Sequence, residues 1–175
     1  IEEVRKTVAD VTAGLDSYRF NEAARAIYQF TWGTFCDWYL EFIKPILGGD
    51  DATVRDETRA TAAWTLAEIL KLLQPFMPFI SEEIWQRTQP AGTGLLMLER
   101  WPGSATSPRA PKATKEIEWV IRLITQVRAV RSETNVPPSA RLALHVVDAD
   151  ELTRLRLEKH GDMISRLGRF DSISV

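Results

Sequence analysis

Few side chains in this sequence stand where a reaction could use them. Cys36 beside Asp37 is the arrangement closest to an activated nucleophile. It lies inside an apolar helical run, and both histidines, His145 and His160, are more than 100 positions away. That setting favours an inert, buried thiol. The histidines have no Cys or His partner at metal-ligand spacing, so no metal site is expected. Glu2-Glu3, Asp50-Asp51 and Glu82-Glu83 are paired carboxylates without an associated base. Solvated helix starts account for them, because acidic groups are favoured at the positive end of the helix dipole. The glycines match neither a phosphate loop nor a dinucleotide fingerprint. No catalytic residue is expected within this chain.

The arginines carry a different chemistry. Arg128 and Arg131 share a helix face, three residues apart. They could touch phosphates, or form a solvated face favoured near a helix C-terminus. The six tryptophans could stack on bases. Most sit at stripe positions, where core packing is the commoner role.

The elements that must position these groups are mostly helices. In residues 21–43, Phe20, Ala23, Ala24, Ile27, Phe30, Thr31, Thr34, Trp38 and Phe42 recur at three- and four-residue steps, which is one stripe of a helix. Tyr28, Trp32, Phe35, Tyr39 and Ile43 give it a second apolar side. A helix apolar on two sides is expected to be packed between neighbours. Its length would be roughly 35 Å, with Asn21 as cap and Pro45 and Gly48-Gly49 as the stop. Before it, Val4, Val8, Val11 and Leu15 keep helical spacing, with Gly14 as the expected stop. Nothing before Ile1 resembles a cap and there is no starting Met, so the chain reads as a piece of something longer.

A third helix is expected from Thr53 to Leu73, burying Ala60, Ala63, Trp64, Ala67, Leu70 and Leu73. A short one follows over Ser81–Thr88. Residues 89–112 are too rich in Pro and Gly for a continuous element. Leu95–Leu98 and Trp101 suggest an extended arm packed back on the helices, then a linker over Gly103–Pro111. Thr114 opens a further helix ending near Glu133, with Ile117, Val120 or Ile121, Ile124, Val127 and Val130 as its stripe. Beyond Asn135-Val136-Pro137-Pro138 the period becomes two: Leu142, Leu144 and Val146 alternate as in a strand. Asp148 or Asp150 can cap a helix, Gly161–Leu167 reads as a short helical turn, and Phe170–Val175 as a second strand. The fold class is therefore mainly α: an antiparallel helical bundle over 1–135, then a small α/β subdomain over 136–175.

The 175 residues, 45% hydrophobic and 26% charged, fit a soluble globular composition. No run approaches a membrane span, and a single cysteine fits a reducing cytoplasm. The net charge of −2 hides an asymmetry. Residues 1–108 hold 10 Lys and Arg against 15 Asp and Glu, whereas residues 109–175 hold 12 against 9. Bulk charge excludes a strongly basic nucleic-acid binder, but a local basic surface in the second half is compatible with it.

Several stretches occur together in a recognisable order: Y-R-F-N-E-A-A (18–24), F-C-D-W-Y-L-E (35–41), L-Q-P-F-M-P-F-I-S-E-E-I-W-Q (73–86), L-M-L-E-R-W-P (96–102) and V-R-A-V-R-S-E-T-N-V-P-P-S (127–139). Together they resemble the C-terminal helical domain of the bacterial valyl-tRNA synthetases, class I aminoacyl-tRNA synthetases. The P-F-x-P-F-x-x-E pattern is shared with leucyl and isoleucyl enzymes. The combination of C-D-W-Y-L-E with N-V-P-P-S points to the valyl group. The resemblance implies an anticodon-binding bundle acting with the other domains of its chain. The parent would join valine to its tRNA in the cytoplasm, using ATP and magnesium. The HIGH-like and KMSKS-like catalytic motifs of such enzymes do not occur here.

On that resemblance, antiparallel packing is expected to bring the turn around Lys44–Arg59 near the start of the first helix. Lys44, Arg55, Arg59 and Arg5 are then candidates to face the anticodon loop, and Arg122, Arg128 and Arg131 to meet the tRNA body. The competing expectations are the same module from an isoleucyl or leucyl enzyme, and a helical protein-interaction bundle without RNA binding.

Overall fold

The computed structural model describes residues 1–103 and 110–175. The chain forms two compact units, Ile1–Arg109 and Ala110–Val175. Most of the expected linker, residues 104–109, lies outside the described residues. No helix among the described residues is long and apolar enough to cross a membrane.

The N-terminal unit is a helical bundle. Helix α1 spans Glu2–Asp16 and turns within three residues into α2, Phe20–Gln29. A π-helical segment, Phe30–Tyr39, continues without a break into α3, Leu40–Leu47. Helix α4 is Ala52–Leu73 and α5 is Pro78–Thr88. Asp51 caps α4 by accepting from the Val54 amide at 3.1 Å, which satisfies one of the free donors of the first turn.

The starts and stops differ from expectation for local reasons. Gly14 does not end α1. It is buried within the helix, where a Cβ would lie 2.9 Å from Ala23 Cβ and 3.0 Å from the Ala23 nitrogen. It lets two backbones approach, and α1 ends beyond it, before Tyr18 at φ 59°. Asn21 is not the cap of α2; Arg19 precedes the helix and no side chain caps it. Pro45 lies inside α3, and the helix stops at Gly48. Pro78 and Pro111, not Ser81 and Thr114, open α5 and α6, because proline fits the first helical position.

The rod over 20–47 was expected to bury both apolar sides. It buries one, and that one changes phase. Ala23, Ile27 and Phe30 are buried, and the next buried side chain is Phe35, five residues on, then Ile43. A five-residue step is the π-helical repeat. The stripe thus passes from the first expected set to the second. Phe20, Tyr28 and Trp32 remain exposed.

The element packed on two sides is α4. Ile69 and Leu72 join Val4, Val8, Val11, Ala23, Ile27, Phe30 and Phe35 in the main core. Leu70 turns the other way into a second cluster with Trp85 and Leu96. Ala60 and Ala63 are exposed, against expectation. Buried Glu68 is paired with Lys71 at 3.1 Å. The segment after α5 is pinned back as expected, around a 3-10 turn at Leu96–Leu98. Trp85 Nε1 donates to the Gly94 carbonyl at 3.1 Å, the Leu96 amide to Glu82 at 3.2 Å, and Trp101 Nε1 to Thr12 at 2.9 Å.

The C-terminal unit contains α6 (Pro111–Glu133), β1 (Leu142–His145), α7 (Glu151–Gly168) and β2 (Phe170–Ser174). The strands pair in parallel, with Leu144 opposite Ile173, as a strand–helix–strand connection permits. Asp150 caps α7 through the Thr153 amide at 2.8 Å. Helix α7 is continuous through Gly161, so the expected separate helical turn is its second half. Val120, Ile124, Leu157, Ile164, Leu167 and Phe170 are buried. Glu116 receives a bidentate pair of hydrogen bonds from Arg156, Nη2 to Oε1 and Nε to Oε2, and the guanidinium lies 5.4 Å from the Trp119 ring centre. Helix α6 therefore belongs with α7. The second compact unit accordingly begins at Ala110, ahead of α6, and the change of sequence period after residue 135 falls inside it.

Candidate nucleic-acid interface

The structure gathers five of the seven candidate cations into two groups. Lys44 lies in the last turn of α3, and Arg55 and Arg59 in the first two turns of α4, joined by the short 48–51 turn. Lys44 is exposed and paired with Glu41. Asp56 sits between the two arginines, 3.9 Å from Arg55 and 3.4 Å from Arg59. Arg55 Nε is buried without a hydrogen-bond partner. Glu41, Asp50, Asp51, Asp56 and Glu57 occupy the same end. With more carboxylates than cations, it can position single phosphates but cannot attract a polyanion over distance.

Arg5 lies in the first turn of α1, a different helix from those carrying Lys44, Arg55 and Arg59. Arg122 stands apart on α6, exposed and 4.0 Å from Glu118.

The second group lies in the C-terminal unit. Arg128 and Arg131 line a cleft of about 560 Å³ with Ser132, Asn135, Val136, Pro137, Pro138, Leu167, Gly168 and Arg169. Arg128 donates to the Leu167 carbonyl at 3.1 Å, and Arg131 to those of Pro137 and Ala140 at 3.2 and 2.6 Å. Both arginines thus tie the end of α6 to neighbouring backbone while lining the cleft. Sequence reading missed Asn135 and Arg169. Both have left-handed backbone, φ 54° and 58°, at the ends of α6 and α7. Asn after a helix is a readable signal for that conformation; Arg169 gives none.

The tryptophans divide. Trp85 is buried, with 4% of its surface exposed, whereas Trp32 and Trp101 are largely open. Cys36 is half-buried, and its thiol is pushed up by burial and then by Asp37, which keeps it protonated. Burial lowers the basicity of His160, whose Nε2 has no hydrogen-bond partner and stands 4.0 Å from Glu116. Arg156 holds the Glu116 carboxyl below its usual range. Among the described residues, no group of three His, Cys, Asp or Glu side chains could hold a metal ion.

A family model for the anticodon-binding domain of tRNA ligase matches residues 1–147. The chain belongs to this family. The match spans the whole bundle and continues through α6 and β1 of the second unit. Relatives include the valine–tRNA ligase of Caulobacter vibrioides, 48% identical over 98% of this chain and 19% of its own length. Those of Rhizobium meliloti and Agrobacterium fabrum are each 46% identical over 99% of this chain and 18% of theirs. The anticodon-binding domain chain thus spans about one fifth of the length of these curated relatives.

Proposed function

We propose that this chain is the tRNA-recognition part of a cytoplasmic valine–tRNA ligase. The reading rests on one observation: near-complete coverage of this chain by valine–tRNA ligases at 46–48% identity. In this reading Lys44, Arg55 and Arg59 each fix a phosphate of the anticodon loop, while base edges carry the sequence information. ATP, magnesium and the joining of valine to tRNA belong to other domains of the parent chain. Helices α1 to α4 supply the rigid frame.

The test compares a valine tRNA transcript with the same transcript carrying a swapped anticodon. Binding to the 175-residue chain is followed by fluorescence anisotropy at fixed salt. A preference of about tenfold for the valine anticodon, equivalent to about 1.4 kcal/mol, is expected. Equal affinity for both transcripts defeats the proposal. Arg55→Ala should weaken both transcripts without changing their ratio, as loss of a phosphate contact does.

A further inference from the structure

Where α6 meets α7, one carboxylate oxygen has two claimants. Arg156 of α7 holds both oxygens of Glu116 on α6, Nη2 to Oε1 at 2.8 Å and Nε to Oε2 at 3.1 Å. His160, one turn further along α7, brings its Nε2 to 4.0 Å from the same Oε2. That is too far for a hydrogen bond, and Nε2 is buried with no other partner. Only 11% of the His160 side chain is exposed.

The charges acting on the ring are three. Glu116 faces it from α6, and Arg156 and Lys159 stand beside it on α7. Burial first, and then Lys159, lower the basicity of the ring; Glu116 opposes them, and Arg156 adds to the lowering. A neutral imidazole suits this place. It leaves Glu116 to Arg156, whose guanidinium lies 5.4 Å from the Trp119 ring centre. Protonation makes donors of both ring nitrogens. A buried charged donor without an acceptor is costly, and the carboxylate that Nε2 faces is already engaged.

We propose that His160, Glu116 and Arg156 form a proton-operated latch between α6 and α7, in which the neutral ring leaves Glu116 bound to Arg156 and the protonated ring draws Glu116 to itself and frees Arg156. Glu116 then exchanges a bidentate pair for a single hydrogen bond, so the protonated joint is the weaker one. Arg156 keeps Trp119 and the attraction of Asp150 at the start of α7. The proton comes from solvent and returns to it. The latch lies within the C-terminal unit and does not depend on the tRNA-binding reading. The folded unit takes up this proton less readily than the unfolded chain. Stability is therefore complete above the roughly 6.5 of a free imidazole and falls as pH drops below it.

The experiment is a pH titration of the 175-residue chain by NMR, from about pH 8 to about pH 5. It follows the His160 ring protons and the Arg156 Nε–H. The His160 midpoint should lie below that of the same ring in the urea-unfolded chain, and the Arg156 signal should move with it. In circular dichroism melts, Tm should fall more steeply over this range in the wild type than in His160→Gln, which takes no proton. In Glu116→Gln, His160 should titrate lower still, and the Arg156 signal should no longer follow it.

A His160 midpoint at or above the unfolded value overturns the latch, and so does a ring that stays neutral throughout. A lowered midpoint with an unmoved Arg156 signal means a buried ring without exchange of partners, and overturns it too. Equal pH slopes of Tm in the wild type and His160→Gln do the same. If His160→Gln fails to fold, His145→Gln assigns the two rings, and the two NMR signals decide alone.

Discussion

Gly14 and Gly33 both lie in the helical rods of the bundle, but a methyl group should act oppositely at the two. A Cβ at residue 33 meets nothing within 4 Å. Gly33→Ala gains helix propensity without a clash, so it should stabilise by about 0.5–1 kcal/mol. For a chain of this size that raises Tm by roughly 2–4 °C. A Cβ at residue 14 meets the Ala23 backbone, which cannot rotate away. Overpacking costs about 1–3 kcal/mol against a propensity gain near 1 kcal/mol. Gly14→Ala should therefore lower Tm in a circular dichroism melt, and stabilisation of both variants would contradict the α1–α2 packing described. Residue-level chemistry was only partly legible. The spacing of Arg128 and Arg131 on one face is local and could be read. The use of Gly14 depends on Ala23, and the place of Arg169 depends on a helix end 34 residues beyond Asn135, neither of which a local pattern contains.

At the scale of elements, the sequence shows where helices are better than which way they face. Helices α1, α4, α5 and α6 were readable from apolar periodicity and from proline and glycine punctuation. A period of 3.6 does not hold through the rod over 20–47. The π segment advances the buried stripe by five residues from Phe30 to Phe35, so two apparent stripes are two halves of one. This has a measurable consequence. Trp32 and Phe35 belong to the same side in an ideal α-helix reading, but Trp32 is 56% exposed and Phe35 only 8%. Phe35→Ala should cost about 3–5 kcal/mol, the range for a buried aromatic. Trp32→Ala should stay within about 1 kcal/mol, since little area is lost from the core. Urea denaturation of the two variants measures the difference, and similar losses would show that the rod keeps α-helical phase. The same exposure corrects the expectation that the helix is packed between neighbours on both apolar sides, because Tyr28 and Trp32 face outward.

At the scale of the whole molecule, the division at 109/110 decides which pieces can stand alone. The change to a period of two after Asn135 is a true change of element, and it suggests a unit beginning there. The packing argues otherwise. Val120 and Ile124 of α6 are fully buried in the second unit, and each such side chain contributes about 1.5–3 kcal/mol. Glu116 and Trp119, also on α6, hold Arg156 of α7 from two directions. Losing all of these removes a large share of the 5–15 kcal/mol that keeps any domain folded. A two-strand sheet cannot replace them. Residues 110–175, 66 in number, fall within the size at which domains fold alone, whereas the 40 residues of 136–175 stand at its lower edge near 40. The longer fragment should show a cooperative thermal transition by far-UV circular dichroism and protected amides in α7. The shorter should show neither. A sharp transition in 136–175 would place α6 outside the unit. A structureless 110–175 would mean that α6 and α7 cannot form a stable core by themselves.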